Sequence, residues 1–252
     1  MTPYQIAFVA VALYSTYVQV RSYALREVLD AAPDSLSTFR AEYESLVRKR
    51  RIVTPFIGGL TALLVAVGSL LDAAPSLYMG SLLTAVWLSA ATGDIFVEGS
   101  YAAEDDATKA RYYTIGMALF VLVTLGLGVG LMVYALVIEG MATAPALVAV
   151  GVSIALAGVA YSTLKVSPET FGIVLVYSAS VATLLCGGIL SAIHGHPHLA
   201  YIGIAYFFSD WLVGLRDFGK RPPAWLQKNA LIVILILYYT IMLTSIDYAF
   251  SG

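Results

Sequence analysis

Two aspartates stand where an apolar chain can least accommodate them. Asp210 lies in Ala205-Tyr-Phe-Phe-Ser-Asp-Trp-Leu-Val-Gly-Leu215, where the next charge is Arg216. Asp94 follows Gly93 in a second apolar run, and the other fourteen of the sixteen Asp and Glu residues fall in expected loops or at span ends. An ionised Asp near mid-bilayer costs about 2.5–3.5 kcal/mol on insertion scales, so such groups face a polar interior and mark function. Two carboxylates in one poorly solvated cavity divide their protonation, one staying neutral and the other ionised. That is an acid–base pair requiring neither metal nor nucleotide cofactor. The same pair also suits a proton relay in a carrier or channel. A purely structural reading has each Asp bonding a neighbouring helix, or pairing with Arg111 or Arg216.

The elements that must position these groups follow from composition. At 252 residues, 60% hydrophobic and 12% charged, with mean hydropathy +0.83, the chain is too apolar for a soluble domain. It resolves into eight continuous apolar runs of membrane-spanning length. These lie near Thr2–Val20, Ile52–Leu71, Ala73–Val97, Tyr112–Ile138, Met141–Leu164, Thr170–Ile193, Leu199–Leu215 and Asn229–Ile246. The expected fold is all-α, a single transmembrane domain of eight helices over residues 1–252. Strands of an outer-membrane barrel would alternate instead.

Basic residues orient the bundle. All fourteen Lys and Arg fall in the first, third, fifth and seventh loops. The positive-inside rule therefore places those loops in the cytoplasm and both termini on the non-cytoplasmic side. A multi-pass protein of the plasma (inner) membrane is expected. The first run carries its positive charge after the apolar stretch, so it should remain an anchor rather than a cleaved signal. With the third and seventh spans both running inward, Asp94 precedes Glu98 by four residues and Asp210 precedes Arg216 by six. At 1.5 Å per residue both carboxylates lie roughly 6–9 Å inside the cytoplasmic boundary, at a matched depth that could share a cavity.

The first loop, 21–51, reads as cytoplasmic with an interfacial amphipathic helix. Leu36, Phe39, Tyr43, Leu46 and Val47 recur at helical spacing, and Arg48-Lys49-Arg50-Arg51 would sit among anionic lipid headgroups. The alternative is a solvated extension of the first two spans.

The other signals are weaker. His194-Gly-His196-Pro-His198 resembles a metal tract but has only remote loop acids for company, so no metal site is expected. Cys186 is the single cysteine, which excludes an intramolecular disulfide. Gly126-Leu-Gly-Val-Gly130 offers GxxxG spacing for close helix packing. No P-loop, dinucleotide fingerprint or nucleophile elbow is present, and the basic loops suit lipid headgroups better than nucleic acid. A retinal protein would need a mid-helix lysine in the last span, where Lys228 stands only at the start.

An ordered set of motifs carries a family resemblance. Trp87-Leu-Ser-Ala-Ala-Thr-Gly93-Asp94-Ile-Phe, Gly116-Met-Ala-Leu-Phe120, Tyr206-Phe-Phe-Ser209-Asp210-Trp-Leu and Leu237-Tyr238-Tyr239 resemble the YhhN/TMEM86 family of lysoplasmalogenases over about Ile52 to Ile246. The chain departs from the family's pattern at Thr124, where a His is common, and at Met242, where a Gln is common. The resemblance implies eight spans and hydrolysis of the vinyl ether of a lysoplasmalogen to a fatty aldehyde and a glycerophospho-base. Asp94 and Asp210 would then be catalytic. Tyr206, Ser209, Tyr238 and Tyr239 would line the substrate, a lysophospholipid whose headgroup lies near Arg111, Arg216 or Lys220.

Overall fold

In the computed structural model, residues 2–31, 37–71, 74–103, 105–166, 171–220 and 224–251 are described. They form eight α-helices in chain order: α1 (Pro3–Ala31), α2 (Ser37–Leu70), α3 (Leu77–Tyr101), α4 (Asp106–Val133), α5 (Thr143–Ser162), α6 (Phe171–Ile193), α7 (Pro197–Phe218) and α8 (Ala224–Ala249). The last turn of α4 widens into a π-helical segment, Tyr134–Ile138. Seven helices, α2 to α8, are long and apolar enough to cross a membrane. In α1 the apolar run is interrupted by Ser15, Thr16 and Gln19, whose side chains bond within the protein. Large apolar side chains on the outer faces are exposed, Leu147, Val148, Ile154 and Val159 of α5 among them. Helices are the natural solution for such a chain, because lipid offers backbone groups no partners and a helix satisfies them internally.

Several helices overrun the boundaries expected from hydropathy. The segment after residue 36 is no separate interfacial helix, because it is continuous with the second span in the 34-residue α2. Its apolar face is also committed elsewhere. Tyr43 and Leu46 pack on Val18 and Leu25 of α1, and Arg21 pairs with Glu42 at 2.9 Å beside them. Phe39 is exposed, and Leu36 lies outside the described residues. The first loop thus shrinks to a short connection between two long helices. Likewise α3 runs on to Tyr101 and α4 begins at Asp106, which puts Glu98 and Arg111 on helices.

The chain divides into two compact units, one of 1–60 and 87–120, the other of 61–86 and 121–252. In the first, α1 lies against the start of α2, and α3 meets α4 closely where Gly93 and Gly116 face each other. A Cβ on Gly116 would come 2.6 Å from Val97 Cγ2 and 3.1 Å from the Gly93 carbonyl. In the second, α5 packs on α6, α6 on α7 and α7 on α8. The glycine run of α4 packs through one of its two expected residues, Gly130, where a Cβ would run into the Leu82 side chain of α3, and through Gly128 between them. Gly126 meets nothing, whereas a Cβ on Gly128 would lie 2.6 Å from the Leu184 backbone nitrogen of α6.

Candidate functional site

Asp94 lies on α3 seven residues before its end at Tyr101, and Asp210 on α7 eight residues before its end at Phe218. The helices run past the boundaries assumed from charge, so each carboxylate is about 10–12 Å from its helix end. Counted in residues, the two aspartates stand nearly equally far from their own helix ends. Each residue is described below within its own unit.

Around Asp94 the surroundings are ionic. Its side chain is buried, and Oδ2 makes no hydrogen bond. One turn on, Glu98 is also buried rather than marking the span end. Residues at i and i+4 share a helix face, so the two carboxyl groups are neighbours. Glu98 Oε1 accepts from Arg50 Nη2 at 2.9 Å and Nε at 3.3 Å. Arg50 Nη1 donates to Ser22 Oγ of α1 at 3.1 Å, and its guanidinium stands 5.0 Å over the Tyr101 ring. Breaking such a buried pair on one side leaves an uncompensated charge and costs roughly 3–5 kcal/mol. Arg50 therefore departs from the headgroup role expected of the basic run. Arg48, Lys49 and Arg51 remain exposed.

The Gly-Asp motif acquires a local reason here. A Cβ on Gly93 would meet Phe120 Cε2 at 3.2 Å and the Gly116 carbonyl at 3.5 Å. Small residues let α3 and α4 touch backbone to backbone, which fixes the helix turn bearing Asp94. Arg111 lies on the same α4, five residues before Gly116, and is exposed.

Around Asp210 the surroundings are phenolic and hydroxylic. Tyr177 of α6 hydrogen-bonds its carboxylate, while Oδ2 makes no hydrogen bond. Tyr206, one turn earlier on α7, is buried and meets Tyr238 of α8 edge-on at 6.3 Å. Tyr239 is buried beside it, its ring 5.9 Å from that of Tyr238. Ser209 is buried as well. The structure thus gathers Tyr206, Ser209, Asp210, Tyr238 and Tyr239 onto two adjoining helices. Arg216 follows on α7, partly buried. Lys220, expected near a headgroup, instead donates from Nζ to the Ser162 carbonyl at 2.9 Å. With Trp211 Nε1 on Thr163 Oγ1 at 3.3 Å, it ties the end of α7 to the end of α5.

The two positions that depart from the motif pattern, Thr124 and Met242, both lie in this unit. Thr124 is buried and its Oγ1 meets Ser180 Oγ at 2.9 Å, one turn along α6 from Tyr177. Met242, at the other departure, is fully buried core.

Three neighbours of the two aspartates are not picked out by the sequence. Glu98 was legible as the i+4 partner of Asp94, but its place near a hydropathy boundary disguised it as a loop acid. Arg50 was hidden inside a run of four cations. Tyr177 had no signal beyond being a tyrosine in mid-span.

The histidine tract occupies the turn between α6 and α7. Glu139, remote in sequence, comes within 3.7 Å of His196 Nε2, so the tract does have a carboxylate neighbour. Among the described residues no group of three His, Cys, Asp or Glu converges on a metal position. No family model, curated protein or solved structure matches the chain.

Proposed function

We propose that this chain is a membrane-embedded hydrolase that cleaves the vinyl ether of a lysoplasmalogen, with Asp94 and Asp210 as its acid–base residues. The observation that carries this reading is the recurrence of one arrangement on two spans. Each aspartate sits inside an apolar helix at nearly the same distance from its end, with one carboxylate oxygen making no hydrogen bond. Groups serving only to tie helices together would spend both oxygens on partners.

The chemistry needs two such groups. An acid protonates the outer alkene carbon, leaving an oxocarbenium on the carbon bonded to the ether oxygen. A carboxylate then takes a proton from water as the water adds to that carbon. The resulting hemiacetal collapses to a fatty aldehyde and the glycerol hydroxyl of a glycerophospho-base. Tyr177 holds the Asp210 carboxylate, and Tyr206, Ser209, Tyr238 and Tyr239 provide a mixed apolar and hydroxyl wall suited to a single-chain lipid. Arg111 and Arg216 are the cations proposed for the phosphate.

The proposal includes α1 as an eighth span, both termini on the non-cytoplasmic side and residence in the inner membrane. Cysteines at Thr143 and Gly195 should then label from outside, and one at Lys49 only after permeabilisation; inverted labelling defeats this orientation. The function is tested by supplying purified protein with a lysoplasmalogen or its saturated lyso-ether analogue. Free aldehyde should appear with the first substrate alone. If no aldehyde forms and liposomes holding the protein instead conduct protons, the aspartates serve a carrier.

A further inference from the structure

An acid that gives its proton to carbon must recover one before the next turnover, and the unit holding Asp94 contains a candidate route. We propose that Glu98 is the proton-relay residue through which Asp94 is reprotonated from the Tyr101 end of α3, an inference resting on the hydrolase reading above.

Four observations place it there. Glu98 is one turn nearer that helix end than Asp94, on the same face, and both side chains are more than nine-tenths buried. The two oxygens left without hydrogen bonds are Asp94 Oδ2 and Glu98 Oε2. Arg50 donates both of its bonds with Glu98 to the opposite oxygen, Oε1. Its hold on Ser22 Oγ and its seat over the Tyr101 ring fix the Glu98 carboxylate without using the oxygen a proton would need. Finally, Tyr101 lines an open cavity of about 170 Å³, together with Arg26, Leu29, Asp30, Tyr43 and Lys109. A single water needs only about 15 Å³, so the cavity has room for proton-carrying solvent beside the ring against which Arg50 is stacked.

The other groups around Glu98 do not compete for the proton. Arg50 and the Arg51 charge face it from α2, Ser22 of α1 bonds Arg50, and α4 presents the Tyr112 ring to Gly99 and Phe96. The Asp94–Glu98 pair together with the Arg50 guanidinium that holds Glu98 carries no net charge when the pair holds one proton, the state that burial favours. The cycle then balances. Asp94 gives its proton to the alkene carbon and Asp210 accepts one from water. Asp210 releases that proton to solvent, a proton from the cavity binds Glu98 Oε2, and Glu98 passes it to Asp94 Oδ2.

A relay and a strut are separated by kinetics. Glu98→Gln protein preloaded with substrate should release its first aldehyde within about threefold of the wild-type rate. Its steady-state kcat should fall at least tenfold, and added formate should restore much of it. Because the lone change strands Arg50, the double variant Arg50→Gln/Glu98→Gln removes both charges and should behave identically. Infrared spectroscopy without substrate supplies an independent reading. The protonated carboxyl band lost in Asp94→Asn should exchange with deuterium far more slowly in the double variant than in wild type. Should the first turnover fall as far as the steady state, with formate without effect and deuterium exchange unchanged, Glu98 is only a strut. If wild type releases no aldehyde, the hydrolase reading fails, while the infrared exchange still decides whether Glu98 carries protons to Asp94.

Discussion

The neighbours of Asp94 are charged and those of Asp210 are neutral. On α3, a second carboxyl group lies one turn from Asp94 and is held by the Arg50 guanidinium of α2, itself anchored to a hydroxyl and an aromatic side chain. On α7, the carboxylate meets the Tyr177 hydroxyl amid a cluster of further tyrosines. A neighbouring carboxylate repels charge on its partner, and a hydroxyl that donates stabilises it. The two settings suit opposite tasks. A group that must hold and give a proton belongs beside Glu98, and a group that must accept one from water belongs beside a phenol. Within the proposed hydrolase, the difference favours Asp94 as acid and Asp210 as base, roles that the sequence alone left open.

The severest way to break this comparison is to remove each titratable proton. General acid–base steps contribute about 10²–10⁴-fold each. Asp94→Asn and Asp210→Asn should each lose at least 10²-fold in kcat while the protein still inserts. The double variant should lose much less than the product, as members of one catalytic unit are not additive. Near wild-type aldehyde release by both single variants would make the pair structural.

A finer probe tests the base side alone. Tyr177→Phe removes one hydroxyl from a carboxylate, and hydrogen bonds to charged groups are worth about 1.5–3 kcal/mol. A fall in kcat/KM of roughly tenfold or more is expected, without the burst and formate rescue that mark Glu98→Gln. Unchanged kinetics would remove Tyr177 from the mechanism and weaken the assignment of Asp210 as base.

The helices bearing the two acids are also held by different contacts, and stability measurements can rank them. On the Asp210 side a Cβ at Gly203 of α7 would stand 2.6 Å from Gly188 Cα, backbone that cannot yield. On the Asp94 side a Cβ at Gly116 would press first on the Val97 side chain. Overpacking costs typically 1–3 kcal/mol, so Gly203→Ala should lower the Tm more than Gly116→Ala. Gly126→Ala meets nothing and should raise it slightly, since alanine favours a helix over glycine by about 0.5–1 kcal/mol. An equal response at all three sites would contradict the close approaches.

How much of this was legible beforehand depends on what each feature rests on. Hydropathy located the cores of seven spanning helices, because lipid demands long apolar runs and little else. It misjudged their ends, since Glu98 and the amphipathic face of Tyr43 and Leu46 are polar or mixed by composition yet buried against protein. Asp94 and Asp210 stood out by being costly where they lie. Arg50 and Tyr177 did not, because their contacts to Glu98 and Asp210 exist only when α3 or α7 is brought against them.

The smallest effect is expected at an acid outside the spans, Asp105, which tests whether carboxylates count by position rather than by number. Its Oδ1 accepts from the Thr108 backbone N–H at 2.8 Å, capping α4 at the end of the connection from α3. That bond, with help from the Thr108 side chain, holds the Asp105 carboxyl below the usual carboxylate range. A group whose pKa is lowered on folding stabilises the folded state above its unfolded pKa and loses that contribution as pH falls through the folded value. Asp105→Asn should thus leave aldehyde release unchanged at neutral pH, since Asp105 lies outside the spans and touches no proposed site residue. The Tm difference from wild type should be small at neutral pH and vanish on acidification. A variant as impaired as Asp94→Asn would show that the catalytic carboxylates had been misidentified.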